Sequence, residues 1–161
     1  GACWLRTSLR ERFAQAVSRR RAGNTVMIHV REIDHLVLRI VDAVAMLHFY
    51  CDVLGCPVER RDDSISLIQL RAGQSLIDLV PVTGKLGREG GGTPDPQARN
   101  LDHFCLRVEP FDEVEIRRHL AAFGIEGGVA QSRNGAEGEG PSIYVADPEG
   151  NVIELKGPPS P

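Results

Sequence analysis

Two histidines and two carboxylates occupy matching places in two similar segments of this chain. His35 lies in IDHLVLR at 33–39, and His103 lies at the same place in LDHFCLR at 101–107. Asp78 lies in LIDLV at 76–80, and Glu154 lies in VIELK at 152–156. Imidazole and carboxylate together form a ligand set that suits divalent Fe, Mn, Co, Ni or Zn. Their repeated spacing indicates a candidate metal site.

The similarity between the two halves extends to the elements that must position these residues. A helical stretch follows each histidine segment and ends at an apolar residue and a glycine, Leu54-Gly55 in the first half and Phe123-Gly124 in the second. Three correspondences in the same order predict an internal duplication. Each half is interpreted as one strand, one helix and three further strands, which predicts an α+β fold of two tandem βαβββ modules.

Local patterns predict the bounds of these elements. In the first half we expect a strand at 33–40, a helix capped by Asp42, a half-buried strand at 64–70 and a turn at 71–74. The helix is expected to bury four residues, Val44, Leu47, Tyr50 and Leu54. In the second half we expect a strand at 101–108, a helix capped by Asp112, strands near 128–133 and 141–146, and a turn at 147–151. Module one is placed at 31–83, a linker at 84–100 and module two at 101–157.

Strand periodicity predicts which side chains share a face. Residues two apart point the same way, so His35 shares a face with Arg39, and His103 shares a face with Cys105 and Arg107. If a pseudo-twofold axis relates the halves, two histidines and two carboxylates converge from four strands. The alternative is that each histidine is an ordinary hydrogen-bonded residue. Cys105 is interpreted as a packing thiol, with a fifth metal ligand as the alternative.

Composition excludes several classes of partner. The 161 residues carry a formal net charge of -3 and have a pI near 6.0, so nucleic acid is not expected as a partner. No apolar run approaches the roughly 20 residues that a membrane helix needs. Four cysteines without a C-x-x-C spacing or a secretory signal predict reduced thiols and a cytoplasmic location.

The first 26 residues differ from the rest in charge. They carry six arginines and one acidic residue, Glu11. Leu5, Leu9, Phe13 and Val17 recur at helical spacing, so this arm is predicted to be a basic amphipathic helix. It is interpreted either as a targeting or anionic-surface segment or as an extension upstream of a domain at 27–161.

Several motifs carry a family resemblance. The duplicated unit, HFYCDVLG at 48–55, the two histidines that begin strands and YVADPEGNVIELK at 144–156 resemble the vicinal oxygen chelate superfamily. That superfamily includes glyoxalase I, fosfomycin-modifying enzymes, extradiol dioxygenases and bleomycin-resistance proteins. The resemblance covers about residues 31–157 and implies a glyoxalase-like fold, a curved mixed β-sheet that contains a cleft.

The resemblance implies a set of metal ligands. In the glyoxalase I pattern they fall at His35, Asp78, His103 and Glu154. Asp78 stands where the family usually has glutamate and is one methylene shorter. If it does not reach the metal, the set becomes His35, His103 and Glu154, as in the dioxygenase and fosfomycin branches. Glu154 is the first candidate for the residue that moves the proton as general base and acid during catalysis, and Asp78 is the second.

The resemblance also implies how a substrate is bound. Arg39 matches an arginine that holds a glutathione carboxylate in glyoxalase I, and Arg107 is its repeat partner. Val82 stands where the family has an asparagine, so part of the glutathione-binding set is missing. The expected thiol is therefore glutathione or another thiol. The alternative for each arginine is an internal salt bridge to Asp78 or Glu154.

These features predict a divalent-metal-dependent enzyme that acts on a small substrate with vicinal oxygens, by an isomerisation of the lactoylglutathione lyase type. The alternatives are a metal-free small-molecule or antibiotic-binding protein, a thiol transferase and a dioxygenase. The glycine-rich loop at 133–140 is interpreted as a pocket border or as a surface turn. A homodimer is expected, because paired modules commonly leave an apolar face to cover.

Overall fold

A computed structural model of the chain describes residues 28–160. The predicted amphipathic arm at 1–26 lies outside the described residues. Within the described part, the elements are β1 (His35–Ile40), α1 (Ala43–Leu47) with a π-helical continuation (His48–Val53), β2 (Val58–Asp62), β3 (Leu67–Ala72), β4 (Ser75–Pro81), α2 (Lys85–Glu89), β5 (His103–Arg107), α3 (Glu113–Ala122), β6 (Gln131–Arg133), β7 (Gly140–Ala146) and β8 (Val152–Lys156).

The strands form two four-stranded sheets with the same topology. The first sheet has the order β1-β4-β3-β2, and the second has the order β5-β8-β7-β6. In each sheet the first strand pairs in parallel with the last, and the other pairs are antiparallel. The predicted α+β fold with two modules is therefore confirmed, and β1 to β4 and β5 to β8 are called the first and second modules below.

The hydrophobic core lies on the helix side of both sheets. Met46, Phe49 and Tyr50 of the first helix pack against alternate residues of β1, β3 and β4. Leu120 of α3 belongs to the same core as buried residues of β7 and β8. Because side chains alternate along a strand, burial of this face leaves the opposite face of each sheet to the polar residues discussed below.

The helix of the first module packs three of its four predicted residues in the core: Tyr50 is fully buried, and Leu47 and Leu54 are partly buried against it. Val44 was expected in the core but is 80% exposed, whereas Met46 is fully buried. The predicted cap is confirmed, since the Asp42 side chain accepts hydrogen bonds from two backbone N–H groups. The helix begins at Ala43 and becomes π-helical at His48. The buried residues Met46, Phe49, Tyr50 and Val53 are three, four and seven positions apart, so they form one face of the helix, and Val44 lies on the opposite face.

Some observed element bounds differ from the predicted ones. The strand expected at 64–70 begins at Leu67, because residues 63–66 form a turn in which Ser66 has a φ of 59°. A short helix, Lys85–Glu89, lies inside the stretch at 84–100 that was predicted as a linker. The glycines that were expected to end the two helices have left-handed backbones, with φ of 70° at Gly55 and 72° at Gly124.

Over residues 28–160, none of the helices combines the length and the apolar character that a bilayer crossing requires.

Candidate metal and substrate site

Each of the two histidines is held by the aspartate that precedes it. The Nδ1 atom of His35 lies 2.7 Å from Asp34 Oδ1, and the Nδ1 atom of His103 lies 2.7 Å from Asp102 Oδ2. The hydrogen bond to Asp34, with the negative charge of Asp78, raises the pKa of His35 against the opposing effect of desolvation. A carboxylate only accepts hydrogen bonds, so in both residues Nδ1 carries the proton.

Glu154 faces the second histidine from the neighbouring strand. Its Oε2 atom lies 3.3 Å from His103 Nε2, and its Oε1 atom accepts a hydrogen bond of 2.5 Å from the Ser142 hydroxyl. The Glu154 and Ser142 residues are buried, with 5% and 0% of their surfaces exposed. One carboxylate oxygen is therefore fixed by the protein, while the other faces the imidazole.

Asp78 has a different environment, although it occupies the matching place in the first module. Both of its carboxylate oxygens accept from the Gln69 amide, at 3.1 and 3.2 Å, and the residue is 5% exposed. The strand registers are equivalent, since His35 pairs with Leu76 as His103 pairs with Val152. Within 28–160 no ion pair joins His35 to Asp78, which agrees with the shorter side chain of aspartate.

The atoms that face each other in the second module favour a positive charge between them. With Nδ1–H donated to Asp102, the Nε2 atom of a neutral His103 is an acceptor, and Glu154 Oε2 is also an acceptor. Two acceptors 3.3 Å apart repel unless a proton or a metal cation lies between or beside them. Imidazole nitrogen and carboxylate oxygen are suitable ligands for a divalent first-row metal, so the donor set fits such an ion.

The four predicted ligands lie in two pairs and not in one cluster. His35 and Asp78 belong to the first sheet, whereas His103 and Glu154 belong to the second. In the part of the chain from Ile28 to Ser160, no three histidine, cysteine, aspartate or glutamate side chains approach closely enough to hold one metal ion. Among residues 28–160 of one chain, the convergence expected from four strands is therefore not found.

Arg39 binds the segment between the modules. Its guanidinium donates to the carbonyl oxygens of Gly87, Gly91 and Gly92 at 2.9, 2.7 and 2.9 Å. The approach is close, because a Cβ placed on Gly90 would lie 2.4 Å from Arg39 Nε. Within the described residues no salt bridge joins Arg39 to Asp78 or Glu154, and the assignment of Arg39 to a substrate stays a prediction.

Arg107 and Lys156 hold the glycine-rich loop at 133–140 in place. Arg107 forms an ion pair of 2.5 Å with Glu137 and a longer one of 3.6 Å with Glu109. The buried Lys156 amine donates to the carbonyls of Arg133 and Gly140. The loop is thus attached to β5 and β8 of the sheet that carries His103. Within residues 28–160 the alternative salt bridge from Arg107 to Asp78 or Glu154 is not found, and its ion-pair partners are Glu137 and Glu109.

Two further side chains contact the histidine and carboxylate of the second module. The edge of the His103 ring packs against the Tyr144 ring, with centroids 5.5 Å apart. Cys105 pairs with Glu154 across the parallel strands, and its residue is exposed, in contrast to the expected packing thiol. Partial burial of the thiol, followed by the charge of Glu154, raises the pKa of Cys105 to about 11.

Sequence reasoning missed the residues that contact the four candidate ligands. Asp34 and Asp102 precede the two histidines in both repeats, so the repeated Asp-His pair was a signal that could have identified them. Gln69 and Ser142 gave no comparable signal, because the residue that meets a carboxylate is set by strand register. Gln69 lies directly opposite Asp78, whereas Ser142 lies diagonally across from Glu154.

A cleft lies between β1 and the segment between the modules (residues 84–100). It has a volume of about 580 Å³, and its lining includes Val37 and Arg39 of β1, segment residues between 93 and 101, and Glu149 and Asn151. Arg99 fixes this segment by donating to the Glu149 carbonyl and the Asn151 side chain, at 2.8 and 3.1 Å. The wall of the cleft is therefore built from both modules.

The chain is similar to known proteins over most of its length. Residues 32–155 match the model of the family described as the Glyoxalase/Bleomycin resistance protein/Dioxygenase superfamily. The sequence is 28% identical to Virulence protein STM3117 of Salmonella typhimurium over 136 residues. This alignment covers 81% of this chain and 87% of the relative.

Solved structures show the same similarity in three dimensions. The crystal structure of that virulence protein superposes with a TM-score of 0.65 at 25% identity, over 81% of this chain and 99% of the other. The crystal structure of a lactoylglutathione lyase from Agrobacterium tumefaciens superposes with a TM-score of 0.56 at 21% identity, over 78% and 92% of the two chains. The second likeness shows a shared fold alone.

Proposed function

The chain belongs to the glyoxalase/bleomycin resistance protein/dioxygenase superfamily, and on that premise we propose that it is a divalent-metal-dependent enzyme for a small substrate with vicinal oxygens. The observation that carries this proposal is the contact of 3.3 Å between His103 Nε2 and Glu154 Oε2. When His103 is neutral and donates Nδ1–H to Asp102, both atoms are acceptors, and Glu154 is only 5% exposed. A metal cation satisfies both atoms at once.

The residues that would hold the metal are His35, His103 and Glu154, with Asp78 as the fourth candidate. A bound divalent ion would polarise a carbonyl of the substrate and make a neighbouring C–H or O–H acidic. The reaction that we propose is an isomerisation of the lactoylglutathione lyase type, in which a proton moves between neighbouring carbons of an adduct formed with glutathione or another thiol.

Glu154 is the proposed proton acceptor. Its Oε1 atom is held by Ser142, so the side chain has one defined orientation, and Oε2, which faces His103, is the oxygen that Ser142 does not hold. Asp78 is less suited to this role, because the Gln69 amide donates to both of its oxygens. This difference supports the order in which Glu154 acts first and Asp78 second.

We further propose that the complete site is shared between two copies of the chain. Catalytic metal sites use about three protein ligands, and each module of the described chain offers one histidine and one carboxylate. In a symmetric dimer, His35 and Asp78 of one copy would meet His103 and Glu154 of the other. Each dimer would then hold two equivalent sites.

The experiment is a metal titration of the purified protein and of two variants, His35→Ala and His103→Ala. We expect about one divalent ion per chain in the wild type, and loss of binding in each variant. The control is His48→Ala, since His48 also has an aspartate at 2.7 Å on Nδ1 but lies on the helix. Failure of the wild type to bind Ni, Co, Zn, Mn or Fe(II) would contradict the proposal and favour a metal-free binding protein.

Mixing the two variants tests the shared site. In a dimer, a chain that lacks His35 and a chain that lacks His103 together rebuild one intact site, so metal binding and methylglyoxal–thiol isomerase activity should partly return on mixing. If each site were contained in one chain, the mixture would stay as inactive as its components. Sedimentation of the wild type as a monomer would also contradict the shared site.

A further inference from the structure

The Asp-His sequence repeated in the two modules has a structural counterpart. In each module the aspartate precedes the first residue of a strand, and its carboxylate turns back to the imidazole of that residue. The contacts join the same ring atom, Nδ1, to a carboxylate oxygen at the same distance of 2.7 Å. Two independent segments of the chain therefore build the same arrangement.

From this repetition we infer that Asp34 and Asp102 are positioning residues that fix His35 and His103 as the Nδ1–H tautomer and direct Nε2 to the open face of each sheet. An imidazole can carry its single proton on either nitrogen, and only the nitrogen without it can bind a metal. A carboxylate on Nδ1 removes this choice and also limits rotation of the ring. In the second module the atom that is left free is the one facing Glu154.

Exposure of the two aspartates supports a role beyond folding. The side chains of Asp34 and Asp102 are 89% and 97% exposed, so a hydrogen bond from either contributes little to stability. Neither carboxylate has another side-chain partner within residues 28–160. The geometry that they impose on the histidine is therefore their main effect.

The effect of the tautomer on metal binding rests on the proposed function, but the tautomer itself can be measured without metal. Long-range ¹H–¹⁵N correlation spectra of the metal-free protein, at alkaline pH where the imidazoles are neutral, distinguish Nδ1–H from Nε2–H. We expect Nδ1–H for His35 and His103 in the wild type. We expect mixed tautomers for His35 in Asp34→Ala and for His103 in Asp102→Ala.

The second readout is metal affinity, measured with Co²⁺ by its visible absorption and by competition with a chelator. Loss of an aspartate that orients a ligating histidine typically weakens metal binding by about 10–100-fold, and we expect this for each single variant. The matched control is Asp52→Ala, because Asp52 contacts His48 Nδ1 at the same 2.7 Å outside the site. That variant should change the His48 tautomer and leave Co²⁺ affinity unchanged.

The outcomes separate this inference from the proposed function. Nε2–H histidines in the wild type, or unchanged tautomers in Asp34→Ala and Asp102→Ala, would overturn the inference. Equal Co²⁺ affinity in these variants and in the wild type would also overturn it. If the wild type binds no metal, the proposed function fails, and the tautomer measurement still decides whether the aspartates position the histidines.

Discussion

The Tyr50 hydroxyl donates a hydrogen bond of 2.9 Å to Asp147 Oδ2, and this contact joins the helix of the first module to the turn between β7 and β8. Tyr50 is fully buried and Asp147 is 4% exposed. Asp147 also accepts from the backbone N–H groups of Glu149 and Asn151, so the turn and the helix share one carboxylate. Burial, and then the charge of Asp147, raises the pKa of Tyr50 and keeps the phenol protonated as a donor.

Replacement of this phenol should weaken the contact between the modules. We expect Tyr50→Phe to lower the free energy of unfolding by about 1.5–3 kcal/mol, because a buried hydrogen bond to a charged group is lost. Urea unfolding followed by circular dichroism measures the change. Tyr144→Phe is the control, since the Tyr144 hydroxyl has no hydrogen-bond partner among the described residues, and a loss as large there would contradict the explanation.

Gly87 lies where the segment between the modules passes the end of β4. A Cβ at this position would lie 2.0 Å from the Pro81 carbonyl oxygen and 2.6 Å from Val82 Cα, both backbone atoms. We expect Gly87→Ala to destabilise the protein by about 1–3 kcal/mol, because the segment must move away from the strand. Gly92→Ala is the matched control, since nothing lies within 4 Å of its Cβ position. Equal melting temperatures for the two variants would exclude this steric effect.

Arg39 should control the order of the same segment. Its planar guanidinium reaches three carbonyl groups, whereas a lysine amine is one point donor that cannot span them. We expect Arg39→Lys to speed hydrogen exchange of residues 84–100 while exchange of the β-strands stays unchanged. Arg60→Lys serves as the control, because Arg60 contacts Asp62 on the exposed strand β2. Slow exchange in both variants would show that other contacts hold the segment.

The Cys105 thiol should report the charge of Glu154. Its pKa, raised to about 11, makes the thiolate fraction near neutral pH on the order of 100-fold smaller than for an ordinary cysteine. We expect slow alkylation of Cys105 by iodoacetamide, with a rate that increases as the pH rises toward 11. Peptide mass spectrometry measures the extent of alkylation. Glu154→Gln removes a negative charge, lowers this pKa and should speed the reaction at pH 8. An unchanged rate would mean that burial alone shields the thiol.

The repeated strand, helix and turn patterns were sufficient to predict the fold. Local chemistry determines several of these features, and neighbouring residues in the sequence are enough to predict them. They are the alternating residues of β1 and β5, the helix caps at Asp42 and Asp112, and the left-handed Gly55. Whether Asp78 reaches a metal stays a prediction, and the structure shows both of its carboxylate oxygens bound to the Gln69 amide. Strand β2 was not located, because its residues VERRD are mostly exposed and lack apolar alternation.

The sequence by itself determined the two-module fold, the two histidine and carboxylate pairs, and the face of each sheet on which they lie, because all of these follow from periodicity along a strand. The tertiary structure alone decided that Arg39 binds the carbonyls of the segment between the modules and that Arg107 pairs with Glu137. It also decided that Val44 is exposed and that the two pairs do not meet within the described chain. These outcomes depend on which distant residues come into contact, and a one-dimensional pattern carries no information about the distance between elements.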